Sequence, residues 1–179
     1  MQNNEKGLSL IEVLVSLVIL VIGLIGVFNL HLISKQGSFE SFQQTQASYL
    51  AHDIINRMKA NSSQLPSYEG EYSSMPTSTP NNLCNDVSDP CTAVEMRMAN
   101  LYQWQKALTG QYEIDDKTPI GGLDEPTACI TVKDEKVEVK ITWKAIRETT
   151  DAKDANEKCG TASKKRRFYV VTTFIRSNV

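Results

Sequence analysis

Histidine is scarce in this chain. It occurs twice, as His31 and His52, and neither has a cysteine neighbour at ligand spacing. The four cysteines, Cys84, Cys91, Cys129 and Cys159, contain no C-x-x-C pair. A zinc site is therefore not expected. Nucleotide fingerprints, nucleophile elbows and metal-binding helix motifs are also missing. The chain does not read as an enzyme, and no cofactor is expected. Charge of one sign is lacking too. The net charge is −2, so nothing in the balance points to nucleic acid.

Long apolar runs are absent from everything but one end. Mean hydropathy is slightly negative, yet from Val13 to Ile33 only Ser16, Asn29 and His31 interrupt the apolar residues. At 1.5 Å per residue that run spans roughly 31 Å, close to the hydrocarbon thickness of a bilayer. The chain reads as an anchor followed by a polar, water-soluble body of one domain. Lys6 and Lys35 flank the run and orient it only weakly.

No small-residue cleavage site follows the run, as it would in a secretory signal peptide. The small-residue boundary, Gly7, precedes it. Cleavage there would leave the apolar helix on the mature chain and expose an amino group at Leu8. Glu12 lies close by, and an acid inside a membrane segment is costly unless it is paired or functional. Its candidate partners are the Leu8 amine of its own chain and that of a neighbour. The competing reading leaves Glu12 solvated at the headgroup boundary.

These residues carry a resemblance. G-L-S-L-I-E-V-L-V-S, Gly7 to Ser16, resembles the class III leader of type IV pilins and type II secretion pseudopilins. The resemblance implies cleavage after Gly7 by a prepilin peptidase and N-methylation of Leu8, which stands where Phe is usual. It also implies pairing of Glu12 with the amine of an adjacent subunit during assembly. The expected organisation is a leader over residues 1–7, a membrane or filament-core half-helix over 8–34, and a periplasmic head over 35–179.

Beyond the lipid, Ala47, Leu50, Ala51, Ile54, Ile55 and Met58 recur at helical spacing. Asp53 and Arg57 form an i,i+4 pair worth a few tenths of a kcal/mol. Asn61, Ser62, Ser63 and Pro66 stop the pattern. This predicts one stem helix from about Leu8 to Ala60, with Gly23 and Gly26 as its points of local unwinding or close helix contact.

Pro66 to Asp89 reads as a long irregular connection. A second helix follows, opened by the T-x-x-E box of Thr92 and Glu95 and closed by Gly110. Val94, Met98, Leu101 and Leu108 are its expected inner face, with Tyr102 and Trp104 as core anchors. Ala128 to Lys144 reads as two strands around a turn at Asp134 and Glu135. Val137, Val139, Ile141 and Trp143 alternate there with a wet face of Glu138, Lys140, Thr142 and Lys144. A polar loop from Glu148 to Ser163 leads to a further strand. Lys164 to Arg167 reads as a solvated edge that discourages strand pairing. The fold class is α+β: a long stem helix packed on a small antiparallel sheet, with a second helix. Four cysteines beyond an anchor suit two disulfides in an oxidising compartment. Three pairings are possible; Cys84–Cys91 with Cys129–Cys159 is favoured, because the first two flank one turn-rich loop.

Two further segments narrow the resemblance. L-A-H-D-I-I-N-R-M-K-A-N, Leu50 to Asn61, is similar to a stretch of PilV-type minor pilins, with Lys59 where Arg is usual. N-L-Y-Q-W-Q-K-A-L, Asn100 to Leu108, is similar to another, with Asn100 for Asp. They imply a low-copy structural subunit of an assembly-priming tip complex. Its partners would be other minor pilins, the major pilin, the prepilin peptidase, the inner-membrane assembly platform and a tip adhesin. A type II secretion pseudopilin and a signal-anchored periplasmic binding protein are the alternatives.

Overall fold

The computed structural model describes residues 9–86, 88–115, 118–119, 121–149 and 159–176. Helix α1 runs without a break from Leu10 to Ala60. The chain divides into two units, Met1–Phe39 and Glu40–Val179. Within the first, the large apolar side chains from Leu10 to Ile33 are all exposed, and a Cβ added at Gly23 or Gly26 would touch nothing in the chain.

The second unit holds the core. Along α1 the buried residues are Gln43, Ala47, Leu50, Ala51, Ile54, Ile55 and Met58. Their spacing keeps one stripe facing inward for four turns. It packs within a cluster that includes Trp104, Leu108, Ile130, Val139 and Ile141. The four-stranded sheet has the order β1–β4–β5–β6, antiparallel throughout. Its strands are β1 (Gly70–Tyr72), β4 (Thr127–Lys133), β5 (Lys136–Lys144) and β6 (Arg166–Phe174). The two-residue turn at Asp134 and Glu135 joins β4 to β5. A short ladder of β2 (Ile114–Asp115) and β3 (Thr118–Pro119) stands apart.

The connection after Pro66 is more ordered at its start than its composition suggests. A 3-10 helix covers Ser62–Tyr68, and β1 then adds an edge to β4. Three residues are too few to show a period of two. Tyr72 holds the strand from its side chain instead: its ring meets Trp104 edge-on at 5.8 Å, and its hydroxyl donates to the Tyr68 carbonyl at 2.7 Å.

Helix α2 (Ala93–Leu108) opens on the reciprocal Thr92–Glu95 box. Its inner face is turned from the expected one. Val94 and Met98 are exposed, whereas Trp104 and Leu108 are buried. The indole decides the rotation, because Trp104 Nε1 donates to the Leu50 carbonyl at 2.8 Å. At 100° per residue, Val94 and Met98 then lie about 80° and 120° away. Tyr102 is half-buried outside the core cluster, with its hydroxyl 3.2 Å from that of Thr79. The sheet brings one more correction. Val137, Val139, Ile141 and Trp143 are buried, but so is Thr142 on the face expected to be wet. Its hydroxyl donates to the Thr127 carbonyl at 3.3 Å, where Cys159 is also buried.

The end of α2 is a Schellman closure: Gln111 N–H bonds the Lys106 carbonyl at 2.8 Å and Gly110 N–H bonds that of Ala107 at 3.3 Å. Gly110 has φ +76°, and a Cβ there would lie 1.6 Å from the Gly121 carbonyl oxygen. Gly110→Ala should therefore cost more than the ~1–2 kcal/mol of a left-handed alanine alone, lowering the melting temperature by several degrees. A melting curve superimposable on the wild type would refute this close approach.

Candidate functional site

The candidate site begins at the amino end of α1. The Ser9 carbonyl accepts from the N–H groups of Glu12 and Val13, at 3.0 and 3.3 Å. Glu12 stands in the first turn, where a carboxylate complements the positive end of the helix dipole. Gly7 and Leu8 lie outside the described residues. The run that follows is long and apolar enough to cross a membrane, and none of its most apolar window is buried within the chain. An apolar surface this extensive needs lipid or other helices around it.

The family described as the prokaryotic N-terminal methylation motif matches residues 2–28. The chain is type IV pilin-like. The matched region holds Gly7, Leu8 and Glu12, and its continuation is the stem just described. The motif belongs to structural rather than catalytic proteins, processed by a prepilin peptidase for pilus or pseudopilus assembly. An apolar N-terminal helix behind such a leader fits membrane anchoring. No curated protein and no solved structure gives a significant match.

In the pilin-like head, polar pins hold the stem to α2. Arg57 donates to Asp53 at 3.0 Å, to Gln103 at 3.0 Å and to Asn100 at 3.3 Å. Asn61 reaches the Ala93 carbonyl at 2.8 Å, and Asn100 donates to the Tyr68 hydroxyl at 3.1 Å. With the Trp104 bond to Leu50, these contacts join the segments Leu50–Asn61 and Asn100–Leu108 into one unit.

The structure joins Cys84 to Cys91 and Cys129 to Cys159. The first bridge closes a local loop after β1. The second lays the chain at Cys159 onto the outer face of β4. His52 lies on α1 with its ring 6.3 Å from that of Tyr169; His31 is within the apolar run. Among the described residues no group of acids, histidines or cysteines could hold a metal.

The basic cluster is only half a solvated edge. Lys164 and Lys165 are exposed. Arg166 is buried, and Arg167 donates to the Thr149 hydroxyl at 2.8 Å and the Arg147 carbonyl at 3.0 Å. The alternation of β6 sends neighbouring arginines to opposite faces, which a run of four charges conceals.

Sequence reasoning missed the ion pair of Arg147 with Glu40, as it missed those of Lys144 with Glu125 and Arg176 with Glu135. Arg147 holds Glu40 with two nitrogens, at 2.7 and 3.2 Å, while its backbone N–H also donates to that carboxylate. No local pattern links positions so far apart. The Arg147 hydrogen bond holds the Glu40 carboxyl below its ordinary pKa, against a smaller opposing effect of burial.

Two tests follow from this geometry. Cys129→Ser should destabilise the head by ~2–5 kcal/mol; an unchanged melting temperature would argue against the bridge. A depressed folded-state pKa stabilises above the unfolded carboxylate pKa and loses that stabilisation as pH falls through the folded one. The stability gap between wild type and Glu40→Gln should therefore be present at neutral pH and close in acid. A gap independent of pH would dismiss the ion pair as its source.

Proposed function

We propose that this protein is a minor pilin of the type IV pilus, PilV-like, serving as a structural subunit of the assembly-priming tip complex. In that role it is needed for pilus biogenesis, and through it for adhesion and twitching motility. The observation that carries this reading is the leader, with Glu12 in the first turn of a helix that continues unbroken into the core of the head. Cleavage after Gly7 and methylation at Leu8 would place a charged amine about one turn from Glu12. Within a bundle of such helices, the acid of one subunit would meet the amine of the next. Its position near the helix start then becomes an assembly signal rather than a burden on insertion.

The minor-pilin assignment draws on Leu50–Asn61 and Asn100–Leu108. The residues that match those segments, Arg57, Asn61 and Trp104, are among the ones that pin the stem to α2. These segments would shape the head on which other minor pilins dock. Before assembly the stem spans the inner membrane with the head in the periplasm; afterwards the protein resides at the pilus tip. A periplasmic head suits the two disulfides, since that compartment is oxidising. Partners are other minor pilins, the major pilin, the assembly platform and a tip adhesin.

The decisive experiment starts with the N-terminus of the protein co-expressed with a prepilin peptidase, read by intact mass and peptide mapping. A chain beginning at N-methyl-Leu8 is expected, and the protein should then be found in sheared pili. Glu12→Ala should leave the head folded and processed but abolish its recovery in pili and in pull-downs of the other minor pilins. Normal piliation with Glu12→Ala would defeat the assembly role. Loss of enzyme secretion with intact pili on deletion would instead assign the chain to a type II secretion pseudopilus.

A further inference from the structure

A cavity of about 420 Å³ opens beside the start of β6. Lys144, Lys165 and Arg166 line it, together with Ser73, Thr161 and Ser163. Glu125 also lines it, at 63 % side-chain exposure, and holds Lys144 at 2.6 Å. Three cations against one carboxylate leave the cavity with a net positive charge.

Arg166 is the unusual member, because only 7 % of its surface is exposed. Its guanidinium donates to the Glu125 carbonyl and to the Thr127 hydroxyl, both neutral oxygens. Its Nε is buried with no partner, and among the described residues no carboxylate lies within ion-pair distance. Burial pushes the Arg166 pKa down from its ordinary value, against smaller opposing effects of the Glu125 and Asp124 carboxylates, neither of which closes an ion pair with it. A buried charge normally carries a counter-charge, because its desolvation is otherwise uncompensated. The surroundings nonetheless hold this one in place. Gly160, at φ +70°, brings the chain so close that a Cβ there would lie 2.8 Å from Thr127 Oγ1 and 3.0 Å from Arg166 Nη2. The neighbouring Cys159–Cys129 bridge ties that segment to β4.

We infer that this cavity binds a phosphomonoester carried on a small polar body. Arg166 supplies a fixed positive field at the wall. Lys165 and Lys144 supply mobile charged donors, and the three hydroxyls supply neutral ones. A phosphomonoester has nearly two negative charges and three acceptor oxygens to engage them. A carboxylate, with one charge and two oxygens, leaves donors unused. Binding requires Lys144 to exchange Glu125 for the ligand, so Glu125 acts as a competing internal anion.

The test is titration of the full chain in a non-ionic detergent with inorganic phosphate, glycerol 3-phosphate and acetate, followed by isothermal calorimetry. Glycerol 3-phosphate should bind more tightly than phosphate, and acetate at least tenfold more weakly. Lys165→Gln alters an exposed residue and should weaken glycerol 3-phosphate binding about tenfold, the loss of one charge-assisted contact. Arg166→Lys should weaken it further. Glu125→Gln should tighten it several-fold by releasing Lys144. Absence of saturable phosphate binding, acetate binding as tight as phosphate, or affinities unmoved by Lys165→Gln and Glu125→Gln would each overturn the proposal.

Discussion

The structure depends on one helix meeting two burial demands. The upper part of α1 is apolar on every side, and its own chain covers none of the most apolar window. The lower part is apolar along a single stripe, and the head is built around that stripe. Apolar burial is worth ~25 cal/mol per Å², so both parts are driven to be covered, but by different partners. The head satisfies the lower stripe by folding. The upper surface can be satisfied only from outside the chain. Stability and assembly are thus separate uses of the same force along one element.

What fixes the head on the stem is more directional than apolar contact. Trp104 reaches the Leu50 carbonyl, and Arg57 bonds three side chains from two helices. A hydrophobic stripe alone tolerates sliding by two turns, because its pattern nearly repeats every seven residues. A buried indole N–H aimed at one carbonyl does not tolerate it, since a slip leaves a buried donor unpaired at a cost of ~1–3 kcal/mol. The Schellman closure and the glycines packed against it fix the carboxyl end of the same helix.

Much of this could be read from the residues. The stem stripe, the Thr92–Glu95 box and the alternation of β5 all follow from periods of 3.6 and 2. The leader was legible because its grammar is positional: a glycine, an acid five residues on, and an apolar run. What escaped were features set by tertiary partners. Strand β1 owes its place to Tyr72 on Trp104, Thr142 is buried by what lies on the outer face, and α2 is rotated by one hydrogen bond. Arg147 found Glu40, and Arg166 became buried on the outer face against Gly160 while Arg167 faces the other way, through the topology of the sheet.

The two disulfides differ in how far apart their cysteines lie. Cys84 and Cys91 are separated by 7 positions, Cys129 and Cys159 by 30. Bringing ends together costs more entropy for a longer loop, so the short ring can close on an unstructured chain. The long one is favoured once β4 and β5 have formed the surface on which Cys159 sits. Loop entropy alone therefore favours one order of oxidation. In that order the small lasso closes first and carries little information about the fold, and the second bridge is a seal set on a finished sheet. A chain with only the first bridge closed would present Cys129 and Cys159 as one accessible thiol pair, a chemical mark of a head whose sheet is unfinished.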